Sequence, residues 1–222
     1  MQKIFILGSG GFAKELGSYY NKPSEIFYVD DHNKNEKIIS LKTYKEIIHN
    51  DDISIMGSGK PLIKEKMLNE IQGKIGTYIH QQTVVYGKIN EGCVIAPFSM
   101  VAPNSIIGKH VLINYGASCG HDCIIGNLST ISPHASIGGF CKIGNKVYIG
   151  SNVSIKEHLV IGDNSIIGMN AAITHDIPPN SIVIGGHSYI FTIDEWPIIK
   201  QRMSSNIRNE IEQIRNNNFK SL

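Results

Sequence analysis

"NYGASCGHDCIIGNLSTISPHASIGGFCKIG", residues 114–144, returns an apolar residue at every sixth position: Cys119, Ile125, Ile131, Ile137 and Ile143. Extended both ways, the step of six runs from Ile89 to Ile173, and all fifteen positions are apolar, thirteen of them isoleucine. In a chain that is 41% apolar, such a register would arise by chance on the order of once in a million, so an internal repeat decides the fold. A helix returns its apolar positions every three or four residues and a half-buried strand every two, so six is neither. It fits a short strand, a turn and another short strand, and three such sides close a triangular coil of eighteen residues.

Four positions after each aliphatic stands a second, smaller residue: Ser105, Val111, Ala117, Cys123, Ser129, Ala135, Cys141, Val147 and Val153. These fill the corners. A glycine often follows the aliphatic directly, as at Gly108, Gly126, Gly138, Gly144, Gly150, Gly162 and Gly168, which suits turns needing positive φ or close backbone approach. Fifteen hexads make about five coils stacked at the ~4.8 Å strand spacing, a parallel β-helix prism.

The whole chain has 222 residues, 18% of them charged, and a formal charge of +2. That mixed balance gives no electrostatic reason for a nucleic acid or membrane partner. No run approaches the ~18 apolar residues of a membrane span and no charged region precedes an apolar one at the start, so a cytoplasmic protein is expected. Cys93, Cys119, Cys123 and Cys141 all fall inside the repeat without CxxC spacing and read as small buried apolar residues rather than a metal or disulfide set.

Ahead of the repeat, "KIFILGSGGFAKELGSYY" reads as a strand from Ile4 to Leu7, a glycine turn and a helix. Gly8, Gly10 and Gly11 let backbone approach phosphate oxygens, and the amides at the helix start favour an anion. A second strand, "EIFYVDD", ends in Asp30 and Asp31, and a third, "ISIMGSGKP", ends in Gly57, Gly59 and Lys60. In an open parallel sheet, ligands collect at the carboxyl ends of strands, so the three ends describe one crevice. Ordinary turn chemistry is the other reading of the two acids. After the repeat, Pro178 and Pro179 leave the ladder. Ile199, Met203, Ile207, Ile211 and Ile214 then follow helical spacing. The division expected is 1–78, 79–190 and 191–222.

This order of motifs resembles the bacterial nucleotide-sugar acetyltransferases related to the sialic acid O-acetyltransferases, over residues 1 to about 188. The resemblance implies a mainly β fold: a left-handed parallel β-helix of hexapeptide repeats behind a small Rossmann-like α/β domain, with a C-terminal helix outside the likeness. The hand comes from the resemblance alone, because parallel crossovers are nearly always right-handed. It implies an acetyl-CoA-dependent N-acetyltransferase that modifies a nucleotide-linked 4-amino-4,6-dideoxy sugar for a bacterial surface glycan. By the same likeness the sugar nucleotide lies against Gly8, Gly10, Gly11, Phe12, Asp30, Asp31, Gly57, Gly59 and Lys60. Acetyl-CoA runs outside the later coils, past Gly139, Ser151, Gly168 and Met169, between subunits of a homotrimer.

The family's nearly fixed histidine and acid fall on His121 and Asp122 in "GHD", and its upstream asparagine on Asn114. Three positions depart from the pattern. Phe12 replaces a common histidine, Thr130 replaces a second one, and "GGHSY" replaces the usual "GNPA" ending.

The chemistry implied is attack of an amine on a thioester, and a neutral imidazole accepts the proton that must leave. His121 is the candidate base. Asp122 would fix its tautomer, although neighbours on a strand point to opposite faces, so their contact needs a turn, or Asp122 serves at a subunit boundary. The Gly139 amide would donate to the oxyanion. No metal is required: His110, His134 and His158 are spaced by 24, on different sides of the coil, and no pair five apart suggests a zinc prism. The rival readings are a sugar O-acetyltransferase and a non-catalytic prism that only binds a sugar nucleotide.

Overall fold

The computed structural model describes residues 2–20, 26–33, 35–71, 75–184, 189–192 and 195. The helical spacing from Ile199 onward lies outside the described residues.

The first part is a parallel sheet with helices between its strands. Its elements are β1 (Ile4–Leu7), α1 (Gly11–Ser18), β2 (Ile26–Val29), β3 (Ile38–Ile39), α2 (Leu41–Ile47), β4 (Ile53–Met56) and α3 (Pro61–Glu70). The strand order is β3-β2-β1-β4, all parallel. Strand order reverses beside β1, and at such a switch point the carboxyl ends of the strands leave an open crevice. Ser40 caps α2 by accepting from the Thr43 amide, and Pro61 opens α3, where its missing N–H costs nothing. Ile75 bridges in parallel to Ser54, and the next strand is Tyr78–Ile79.

From Tyr78 the chain winds into a prism of two-residue strands. In the middle coils the second residue of each strand points inward: Ile95, Val101, Ile107, Ile113, Cys119, Ile125 and Ile131 are at most 1% exposed. Each buried isoleucine contributes about 1.5–3 kcal/mol. The first residues point outward and give each side its character. One side carries Tyr78, Val94, Leu112 and Thr130 and is called here the covered side. The next carries Ser118, Ser136 and Ser154, the serine side, and the third carries Ile106 and Ile124, the isoleucine side.

Strands stack with a step of eighteen, as in Ile107↔Ile125 and Ile125↔Ile143. At both ends the step shortens to sixteen: Ile79↔Ile95 and Val85↔Val101 at the start, Ile161↔Ile177 and Ile167↔Val183 at the finish. The serine side therefore holds six strands, one more coil than the count of hexads gave, because a strict step of six cannot see coils two residues short.

The corner residues pack as expected, with Val111, Ala117, Cys123, Ala135, Cys141 and Val147 buried. Corner hydroxyls and thiols also donate hydrogen bonds to the carbonyl fifteen residues on: Ser105 to Gly120 at 2.6 Å, Ser129 to Gly144 at 2.7 Å, Cys123 to Gly138 at 3.1 Å. All four cysteines are buried and unpaired. The glycines after the aliphatics serve close approach and not positive φ. A Cβ on Gly126 would stand 2.4 Å from the Gly144 carbonyl of the next coil. Positive φ falls two residues later, at positions such as Asn104, His110, Asp122 and Phe140.

The α/β part stands on the covered side. Val94 and Leu112 join Ile6, Ala13, Leu16, Ile26 and Ile55 in one apolar cluster. Lys64 of α3, wholly buried, donates to the carbonyls of His110 and Ser129 and to the Thr130 hydroxyl at 3.0–3.1 Å. Lys146 and Glu65 pair at 2.5 Å beside it. Among the described residues no helix is long and apolar enough to cross a membrane.

Candidate functional site

Two regions carry chemistry. The first is a cleft of about 540 Å³ at the carboxyl ends of β1, β2 and β4. All nine residues assigned to it from the sequence line it: Gly8, Gly10, Gly11, Phe12, Asp30, Asp31, Gly57, Gly59 and Lys60. Ser9, His32, Ser58 and Lys66 line it too and carried no signal beyond proximity to those motifs.

The glycines divide by role. Gly8 has φ +110°, a conformation that disfavours any side chain. Gly57 is a packing glycine, since a Cβ there would lie 2.6 Å from Ile6 and 2.9 Å from Ala13. Gly10 and Gly11 face open space with nothing within 4 Å. There α1 begins without a side-chain cap and without an acid in its first turn, so its leading amides are open to an anion. Phe12 also packs on the β1 cluster.

Both acids are engaged within the chain. Asp30 accepts from the Ser9 hydroxyl at 2.6 Å, the His32 amide at 2.8 Å and the Asn33 side chain at 3.2 Å. Burial pushes its carboxyl up, but these hydrogen bonds outweigh burial and hold it below the usual range. Asp31 accepts from the amide of Leu41, the first residue of α2, at 2.8 Å. Turn and cap chemistry thus accounts for much of what "VDD" does.

The second region is the corner between the serine and isoleucine sides. Asp122 sits there at φ 57°, and this left-handed turn brings its carboxylate round to its neighbour. His121 Nδ1 lies 2.8 Å from Asp122 Oδ2. Asn104, one coil earlier, donates to Asp122 Oδ1 at 3.1 Å. The His121 bond first, and the Asn104 bond second, hold the Asp122 carboxyl below its ordinary range. The imidazole points outward, with 57% of its side chain exposed. Its Cε1–Nε2 edge lies against Gly139 of the next coil, where a Cβ would stand 2.8 Å from both atoms. Among the described residues the Gly139 amide makes no hydrogen bond, while its neighbour Phe140 donates to the His121 carbonyl at 2.9 Å.

Asn114, Ser151, Gly168 and Met169 stand on a different corner, between the covered and serine sides. Asn114 accepts from the adjacent Tyr115 amide at 2.8 Å, Ser151 accepts from the Asn170 amide, and Gly168 donates to Val183. Within one chain, His121 and Gly139 come together, and Asn114 and the other three do not join them. His110, His134 and His158 fall on three different corners, each at positive φ. His158 is not isolated, however: its ring stacks on Phe140, which meets the His121 ring edge to face. Stepping by eighteen from Asp122 names Asn104, Phe140 and His158 at once, and that was the signal available for them. Among the described residues no cluster of three His, Cys, Asp or Glu could hold a metal.

The profile of the bacterial transferase hexapeptide, six repeats, matches residues 140–175. No curated protein sequence matches the chain. Among solved structures, WeeI from Acinetobacter baumannii AYE is similar at 24% identity and TM-score 0.77, over 86% of this chain and 100% of that one. The acetyltransferase domain of PglB from Neisseria gonorrhoeae FA1090, in complex with acetyl coenzyme A, gives 23% and 0.76 over 86% and 99%. A mutant of perosamine N-acetyltransferase from Caulobacter crescentus, in complex with CoA and GDP-perosamine, gives 20% and 0.77 over 86% and 97%. The fold is thus a left-handed parallel β-helix of hexapeptide repeats behind a parallel α/β unit. It is the one those three proteins share.

Proposed function

We propose that this chain transfers acetyl from acetyl-CoA to the 4-amino group of a nucleotide-linked 4-amino-4,6-dideoxy sugar. The observation that carries the reading is the outward imidazole of His121, fastened at Nδ1 by Asp122 and set beside the unengaged amide of Gly139. The fold shared with a perosamine N-acetyltransferase solved with CoA and GDP-perosamine, and with an acetyltransferase domain solved with acetyl coenzyme A, supports it.

With Nδ1 held by Asp122, Nε2 is the nitrogen left to accept a proton from the attacking amine. The acetyl carbon gains a bond to the amine nitrogen of the sugar and loses its bond to sulfur. The Gly139 N–H donates to the carbonyl oxygen as charge develops there, worth roughly 3 kcal/mol at comparable sites. His121 then returns the proton to the departing thiolate, which leaves as CoA thiol. The α1 amides, with Lys60 and Lys66 nearby, suit the diphosphate of the sugar nucleotide. Acetyl-CoA as co-substrate supports a cytoplasmic setting for this reaction.

The active unit on this reading is a homotrimer. The cleft belongs to the unit standing on the covered side, whereas His121 is on the corner opposite that side, so one chain does not unite them. A second copy would bring its His121 corner to the first copy's cleft and to the corner of Asn114, Ser151, Gly168 and Met169. The test is incubation with acetyl-CoA and a panel of UDP-, dTDP- and GDP-linked 4-amino sugars, with sialic acid as hydroxyl acceptor, scored by thiol release. Turnover of an amino sugar is expected, and His121→Ala should stay folded with kcat down at least ~100-fold. Turnover confined to hydroxyl acceptors, or an unimpaired His121→Ala, would overturn the assignment.

A further inference from the structure

Most corners of the prism pass through one left-handed residue, and asparagine, aspartate, histidine or glycine fills most of those positions. Among the described residues Phe98, Leu128, Phe140 and Lys146 depart from that habit, and of these four Phe140 is the one whose ring meets the His121 ring. It has φ 59°, a conformation costly for a bulky side chain, and its ring is still 46% exposed. Neither core burial nor turn chemistry accounts for a phenylalanine here. Strain of this kind that persists at a candidate site points to a role there.

Its ring contacts supply that role. The Phe140 centroid is 5.0 Å from that of His121 at an interplanar angle of 88°, and 4.7 Å from that of His158 at 4°. His158 thereby pins one face of Phe140. The Asp122 hydrogen bond holds one nitrogen of His121, and the Gly139 backbone lies against the opposite edge. One hydrogen bond and one edge contact leave the imidazole free to rock about its Cβ–Cγ bond. A perpendicular aromatic ring closes that freedom, and edge-to-face packing is favourable in itself.

We infer that Phe140, backed by His158, is a positioning residue that fixes the plane of the His121 ring and so the direction in which Nε2 accepts its proton. This rests on the proposed acetyl transfer for its kinetic consequence, but its geometric content does not. Small misplacements of a proton acceptor cost rate without costing binding.

The test compares Phe140→Asn and Phe140→Tyr with the wild type. Asparagine suits the left-handed turn, so the melting temperature of Phe140→Asn should be no lower than that of the wild type. Its kcat should fall about 10-fold with KM for acetyl-CoA unchanged. Phe140→Tyr keeps the ring and should restore the rate. In ligand-free protein labelled with 15N-histidine, relaxation of the His121 ring signals should report a rigid ring in the wild type and in Phe140→Tyr, and added ring motion in Phe140→Asn. Unchanged kcat and unchanged His121 signals in Phe140→Asn would overturn the inference, as would a Phe140→Tyr as impaired as Phe140→Asn. If the wild type transfers acetyl to no acceptor, the functional reading fails on its own, and the nitrogen signals still decide the role of Phe140.

Discussion

At the scale of single residues, the site is built from contacts between successive coils. Gly139 makes one such close contact, because the His121 ring edge occupies the space a side chain would need. Gly139→Ala would displace an exposed imidazole and not the core. The expected outcome is an unchanged melting temperature with kcat lowered about 10- to 100-fold, measured by calorimetry and thiol release on the same preparation. An unaffected rate would mean that the ring edge does not sit where the reaction needs it. The sequence made His121 and Asp122 legible as a pair, with the condition that a turn bring them together. The φ of 57° at Asp122 meets that condition. Asn104, Phe140 and His158 were not legible because the pattern was followed at six residues, the period of a side, whereas contact along a corner recurs at eighteen.

At the scale of elements, α3 carries a feature that sequence reading had no means to find. Lys64 looks like one more solvated cation in "PLIKEKMLNE", yet its ammonium is wholly buried against three acceptors on the prism. Burial lowers its pKa from about 10.5 to about 7. Between those values the unfolded chain holds a proton that the folded chain sheds, so stability rises with pH across that window. Replacing it by an uncharged side chain of similar length removes the linkage. The melting temperature of the wild type minus that of Lys64→Met should therefore grow as pH rises from 7 to 9, read by scanning calorimetry. A constant difference would show that Lys64 keeps its proton when folded. The three strand ends of the α/β part were legible because glycines and acids punctuate them. What those acids bond was not: Asp31 holds α2 through Leu41, a residue ten positions away that no local motif marks.

At the scale of the whole molecule, the six-residue register fixed the prism, and the hand followed from the family likeness. The docking of the α/β unit was written at the longer stride. Tyr78, Val94, Leu112 and Thr130 stand outward on one side, where the serine side shows Ser118, Ser136 and Ser154. With the cleft over one side and His121 on the opposite corner, the proposed trimer can be tested by complementation. Gly11→Asp should block the cleft, since Gly11 faces open space there, and His121→Ala removes the base. Each alone should be inactive. Co-expressed in equal amounts, they should recover about one quarter of wild-type activity, because that share of sites joins an intact cleft to an intact histidine from another copy. No recovery in a verified mixed assembly would place both halves of the site in one chain.

The two shortened turns that open and close the prism bear on how such a protein can change in length over evolution. Tandem duplication at either tip would meet a unit that is out of phase with its neighbour, whereas the interior accepts a whole lap of eighteen without moving any side chain to a new face. Gaining a single hexad would keep every isoleucine in place along the sequence while turning all that follows by a third of a revolution. The imidazole and the residues stacked above it would then face different neighbours, so this lineage is free to lengthen in laps and constrained against lengthening in sides.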